Sequence, residues 1–356
     1  MSYSSTNELA PGTKFRDVAE LAMLLGYCYT GGLKSEEVGR ISCFNWFEEK
    51  DYHSWSGVEL GIYKHESKVT VETSTPVARS YFDLEHQNKT IRLMRKHFGG
   101  TFTTDEGTGR YLRPSSGPPI PAASGCHLAF QRFGSNLITG HVYYTRRDFK
   151  GPKPKGPSGI YVIDKTNPWL ISNNLLLPFL VAIMEDYWKS TYVALLRYSD
   201  KKESVLRAGR ITSEQLAAVS EGKTTVEQVF AETLSFQRVS VSCKHFLALD
   251  PKLDFAGVLK KPYRRRKVPL YESLEEMTEL RHDVIHRAQL SPRVTDEYLT
   301  GLVNDLEVAI IRCYRHLTKT YGWVYDKGWG AGRLAPSQPN TAEPSAAGDA
   351  PQVARS

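Results

Sequence analysis

A chain of 356 residues with 40% hydrophobic, 11% aromatic and 24% charged residues carries ample material to bury, which excludes a wholly disordered protein. Lys and Arg number 46 against 39 Asp and Glu, a formal surplus of +7, and the length suggests two domains. The longest strongly apolar stretch, Leu175 to Met184, is interrupted by Pro178 and reaches about half of what a membrane-spanning helix requires, so no membrane is expected as partner.

Taken in chain order, 14–25 repeats its apolar positions at helical spacing, and a second short helix is expected over 34–47. After Gly57 the pattern turns to near alternation. VELGIY (58–63) and KVTVET (68–73) read as a hairpin, 85–98 as a helix ended by Gly99 and Gly100, and 101–113, 127–133 and 137–144 as short strands. This gives an α+β domain over 1–150, without a G-x-G-x-x-G or Walker-type loop, for which position suggests a sensor or regulatory role. Prolines cluster in 114–121, 152–157 and from 336 onward. The second cluster marks 151–170 as a linker, and 331–356, small and polar without periodicity, as a disordered tail.

Between them, 171–330 reads as an all-α bundle of four or more helices: about 173–200, starting after Ser172, Asn173 and Asn174, then 224–248, 271–289 and 295–321. The last is the most regular, with Leu299, Leu302, Leu306, Ile310, Cys313 and Leu317 on one stripe. The third breaks its own pattern. Its stripe runs Tyr271, Leu274, Met277, then Val284 or Ile285, and the position completing the rhythm is Arg281. A guanidinium there must be paired or open on a cleft.

The charge surplus is uneven. Residues 1–113 hold 14 basic and 15 acidic side chains, whereas 114–170 hold 7 and 2. Two addresses stand out as RNA-backbone contacts: a basic, aromatic hairpin at 141–155 with Arg146 and Arg147, and the loop KKPYRRRK with Lys260, Lys261, Arg264, Arg265, Arg266 and Lys267.

The words ELRHDVIHRA (279–288) resemble the signature of the HEPN (higher eukaryote and prokaryote nucleotide-binding) superfamily, an Arg and a His four to six residues apart on one helix of a small bundle. Three other pairs have a compatible spacing: Arg79 with His86, Arg92 with His97, and Arg238 with His245. Only Arg281 and His286 combine it with a polar residue after the Arg, Val284 and Ile285 before the His, and a long helix followed by another. The resemblance covers the C-terminal part alone. It implies a metal-independent endoribonuclease without cofactor, acting as a homodimer with a composite site, and a toxin or anti-phage (abortive infection) effector role.

The chemistry suits those residues. Cleaving RNA without a metal needs a base for the 2′-hydroxyl, an acid for the leaving 5′-oxygen and positive charge on the phosphate. His286 can transfer protons near neutral pH and Arg281 can hold the phosphate bidentately, with His282 one turn from His286 and Glu185 as a partner for Arg281. Two alternatives share these letters: a non-catalytic module that binds nucleotide or RNA, and a zinc hydrolase using His282 and His286 with Asp283 where such enzymes need Glu. An activating ligand or phage component would meet the N-terminal domain. The five cysteines, at 28, 43, 126, 243 and 313, form no C-x-x-C pair, and MSYSSTNELAPGTKF lacks a basic start followed by an apolar core. Reduced thiols and a cytoplasmic location are therefore expected.

Overall fold

The computed structural model describes residues 2–35, 39–65, 68–114, 117–150, 153–207, 209, 211–263 and 267–323. The chain is mixed α+β, with a sheet part followed by a helical part. The strands are β1 (Tyr3–Glu8), β2 (Cys28–Ser35), β3 (Gly39–Trp46), β4 (Val58–His65), β5 (Lys68–Thr75), β6 (Thr101–Thr104) and β7 (Gly107–Thr108). They form one antiparallel sheet in the order β2-β3-β4-β5-β1-β6-β7. The helices α1 (Phe15–Leu24) and α2 (Tyr81–Phe98) cover one face. Alternation along β4 and β5 turns Val58, Leu60, Ile62, Val69 and Val71 toward Phe15, Val18 and Ala22 of α1 and Met94 of α2.

The 58–63 and 68–73 strands, the 14–25 helix and the 85–98 helix are present. The helix expected over 34–47 is not: β3 occupies most of that span and pairs with β2 and β4. Ile41 and Phe44 are spaced as on a helix, but partners on both sides supply a sheet ladder, and pairing overrides a weak local pattern.

A larger correction concerns 127–133 and 137–144, which are not strands. They lie within the 26-residue helix α3 (Pro121–Arg146), so the helical part begins at Pro121. Cys126, Ala129, Phe130, Phe133 and Leu137 fall three and four apart and are buried. The basic segment at 141–155 is accordingly no hairpin; it comprises the C-terminal end of α3 and the start of the α3 to α4 connection.

The remaining helices are α4 (Tyr161–Thr166), α5 (Pro168–Arg197), α6 (Lys202–Leu206), α7 (Ser213–Ser220), α8 (Val226–Glu232), α9 (Val239–Leu249), α10 (Phe255–Lys260), α11 (Leu270–Arg287) and α12 (Asp296–Tyr321). Of the segment expected to link the two parts, 161–166 is helical, and the continuous helix expected over 224–248 is divided into α8 and α9. The expected tail at 331–356 lies outside the described residues.

The second core joins α3, α5, α8 to α12 and their connections, with Trp188 and Tyr187 of α5 fully buried at its centre. By length and hydropathy α5 could cross a membrane, yet 56% of its most apolar window is buried inside the structure. It begins at Pro168, five residues before the expected start, with the Asn167 side chain accepting from the Trp169 N–H as its cap. Ser172, Asn173 and Asn174 are therefore buried within the helix rather than ahead of it.

Sheet and helices meet through specific polar contacts. Asp83, fully buried near the start of α2, accepts backbone N–H groups from Ser80, Trp55, Ser56 and Gly57. That fixes Trp55, whose indole N–H donates to Ser124 Oγ of α3 at 3.1 Å. Nearby, Arg197 and Tyr198 at the end of α5 both reach Asp51.

Candidate active site on α11

The buried stripe of α11 is Leu270, Leu274, Met277 and Val284, and Arg281 stands at the expected gap in it, half-buried. The exposed neighbour is Ile285, so Val284 is the residue that completes the apolar rhythm. Arg281 Nη1 donates to Gln237 Oε1 at a long 3.4 Å, and its Nε is buried without a hydrogen-bond partner among the described residues. The expected partner, Glu185, makes no hydrogen bond or ion pair with Arg281 among the described residues; the amide of Gln237 takes that place.

Gln237 comes from the break between α8 and α9. Phe236 is fully buried there and anchors the turn, Thr278 Oγ1 donates to the Gln237 carbonyl at 3.3 Å, and Arg238 pairs with Glu279 at 2.8 Å. The interruption that sequence periodicity missed is what carries an amide to the guanidinium. A lone Gln after an apolar residue gives no spacing signal by which to find it.

His282 and His286 share one helical face, their ring centroids 4.5 Å apart, and His286 is exposed. Five residues along a helix amount to a rotation of roughly 140°, so Arg281 and His286 point to different sides of α11. Asp283 is held by Arg287 at 2.9 Å. Among the described residues no three His, Cys, Asp or Glu side chains gather as a metal site, so none of them supplies the third ligand that the zinc reading requires.

The end of α11 is clamped although its last residues are exposed. Ala288 closes it in the left-handed region, φ 50° and ψ 30°. Asn174 of α5 then pairs with Ser291 in both directions: Ser291 N–H donates to Oδ1 at 2.8 Å, and Nδ2 donates to the Ser291 carbonyl at 3.0 Å. Asn173 donates to the Val294 carbonyl and to Asp296.

The basic candidates separate. Arg147 is no phosphate contact: its side chain is 2% exposed, pairs with Asp296 at 2.7 Å, donates to Ser172 and lies over the Tyr144 ring. Burial and pairing commit that charge to the fold. Arg146, one residue earlier, is exposed. Lys260, Lys261 and Lys267 are exposed, with Lys260 Nζ 4.8 Å from the Tyr271 ring centre. Arg312 of α12 straps this loop by donating to the carbonyls of Lys261 and Pro262. Arg264, Arg265 and Arg266 lie outside the described residues. The loop precedes Leu270, whereas His286 sits near the other end of α11, a separation of roughly 24 Å along the helix.

The other Arg and His pairs are placed differently. His86 stacks on Trp46 with ring centroids 3.7 Å apart, and burial holds its imidazole down at about 4. His245 bonds the Ser235 carbonyl at 3.1 Å beside Phe236, and burial again lowers its pKa. Arg92 and His97 are both exposed on α2. His286 is thus the one among the described helical-part pairs that combines exposure with a neighbouring imidazole. Comparison with protein-family models, with curated proteins and with solved structures finds no match.

Proposed function

We propose that the C-terminal half of α11 is the working surface of a metal-independent endoribonuclease of the HEPN type, acting as a homodimer in the cytoplasm. The observation that carries the reading is the combination on one helix of a half-buried, under-bonded Arg281 with the neighbouring imidazoles of half-buried His282 and exposed His286. Arg281 has one long bond to Gln237, and a phosphate oxygen is a stronger acceptor than that amide.

In the reaction His286 takes the proton of the ribose 2′-hydroxyl, the 2′-oxygen attacks the adjacent phosphorus, and the bond from phosphorus to the 5′-oxygen breaks. The leaving oxygen receives a proton, for which His282 is the neighbouring donor, and Arg281 neutralises the phosphate. The products are a 2′,3′-cyclic phosphate and a 5′-hydroxyl. Because Arg281 and His286 face different sides of their helix, a two-fold related copy is the simplest way to bring both to one phosphate. The sheet part would then restrain or direct a toxin or anti-phage effector.

The test is incubation of purified protein with total RNA in EDTA. Cleavage should persist in the chelator and fall about 100-fold or more in both His286→Ala and Arg281→Ala. Cleavage that survives both substitutions removes this site, and loss in EDTA returns the zinc alternative.

A further inference from the structure

Residues 1–113 are close to neutral in sum, yet the fold separates their charges. One side of α2 is buried through Gln87, Thr90, Ile91 and Met94. On the other side Lys89, Arg92, Arg95 and Lys96 are exposed, within about 120° of the helix circumference and over ~10 Å of its length. Among the described residues none of these four enters an ion pair. A fifth exposed cation, Arg113, is brought to the same helix by Asn88, whose Nδ2 donates to the Leu112 carbonyl at 2.8 Å and whose Oδ1 accepts the Leu112 N–H at 3.0 Å. Tyr111 stands beside them, its ring centre 5.5 Å from the Arg92 guanidinium carbon. Five cations gathered on one small surface attract a polyanion.

The same surface runs into a cleft of about 570 Å³, of which Lys89 and Arg92 form part of the wall. Its other walls are aromatic: Trp46 of β3, His53 from the loop between β3 and β4, and Phe82 and His86 of α2. The rings are already paired, His86 on Trp46 with centroids 3.7 Å apart and planes 2° from parallel, and His53 on Phe82 at 4.0 Å. A further flat ring joins such a stack with little ordering cost. Two carboxylates also line the cleft. Glu48 accepts the Lys50 N–H at 3.0 Å, and Glu85 lies one turn before Lys89. They keep phosphate toward the Arg92 to Lys96 end, and Glu85 offers an acceptor for the amino group of a base.

We propose that this face of the sheet part binds single-stranded RNA, with phosphates along Arg92, Arg95, Lys96 and Arg113 and one base in the aromatic cleft beside Trp46 and His53. The combination of a basic track with stacking rings is what a single strand requires, whereas a duplex keeps its bases out of such a cleft. The choice of RNA over DNA rests on the reading of α11 as a ribonuclease; the surface itself shares no residue with that site. It gives the sheet part a role in holding the strand that α11 cuts.

Fluorescence anisotropy of the full chain carrying His286→Ala tests it, with a labelled RNA of about 12 nucleotides in EDTA and, for comparison, the same sequence as DNA and as duplex RNA. Because binding is read on a chain that cannot use His286, the result is independent of whether α11 cleaves. The RNA single strand should bind more tightly than either comparison. Arg92→Gln combined with Lys96→Gln should weaken it about tenfold and lower the slope of log K against log salt by about 1.4. His53→Ala, a partly exposed loop position, should weaken the single strand about tenfold and leave the duplex unchanged. The proposal is overturned if the RNA fails to bind up to about 100 μM, the weak limit of non-specific binding. It is equally overturned if the DNA or the duplex binds as tightly, or if the Arg92/Lys96 double variant and His53→Ala, folded by circular dichroism, bind unchanged.

Discussion

Arg147 and Asp296 are joined at 2.7 Å beneath the surface, linking the end of α3 to the first residue of α12. Ser172 accepts from the same guanidinium, and Asn173 donates to the same carboxylate. Removing one member of a buried pair strands the other. Arg147→Ala should therefore lower the unfolding free energy by about 3–5 kcal/mol in denaturant titration. Lys153, which reaches Asp296 from an exposed position at 3.1 Å, should cost less than about 1 kcal/mol as Lys153→Ala.

Asp83 makes a comparable demand on the sheet part. Its carboxylate completes the capping box with Ser80 and accepts the N–H groups of Trp55 and Gly57. Asp83→Ala leaves several donors of a tight loop without their acceptor and should destabilise by about 2–4 kcal/mol in thermal or chemical melts. Loss of the Trp55 indole bond to Ser124 should accompany it, read as a red shift of tryptophan emission.

Glu307 of α12 is 4% exposed with Oε1 lacking a hydrogen-bond partner among the described residues, and burial pushes its carboxyl up to about 7. The folded state then keeps a proton that the unfolded chain releases near 4.5. Stability from this group is present below 4.5 and is lost as pH rises toward 7 and beyond. His86 acts the other way: its folded value near 4 lies below the ordinary 6.5, so its contribution is lost as pH falls from 6.5 to 4. Glu307→Gln should flatten the decline between 4.5 and 7 in pH-dependent melts, and His86→Phe should flatten the acid limb. Unchanged slopes would contradict these assignments.

If α11 cleaves RNA, the lysines near its start act at a distance. Lys260→Ala or Lys267→Ala should weaken a long RNA and reduce its salt dependence by about 0.7 per lost contact. A dinucleotide substrate, too short to span roughly 24 Å from His286, should be cleaved with unchanged kcat/KM. Equal loss on both substrates would mean that these lysines act through the fold.

The helix layout of the C-terminal half was legible because α11 and α12 bury one stripe each, so polarity alternates with the helical period. α3 was not legible. Its 127–133 and 137–144 segments read as short strands, and its glycines mark close packing: a Cβ on Gly125 would stand 2.7 Å from Ala194 and Tyr52, and one on Gly140 would stand 2.9 Å from Phe179. Sequence alone cannot tell a glycine that breaks a helix from one that lets another helix approach. The position of Arg281 on a buried stripe followed from spacing, whereas its partner did not, since Gln237 arrives from a turn 44 residues earlier. Likewise the Arg147 guanidinium reads as surface charge until Asp296, 149 residues on, is folded against it.

Helix ends ordinarily fray, and a histidine in the last turn would swing with them. Here the turn after α11 is stitched to the second turn of the core helix α5 by the reciprocal amide bonds between Asn174 and Ser291. Opening that end means parting two buried asparagines from the α11 to α12 connection. Backbone amides near His286 should therefore exchange with solvent as slowly as those of the helix interior, and Asn174→Ala should release them while leaving exchange at the sheet part untouched.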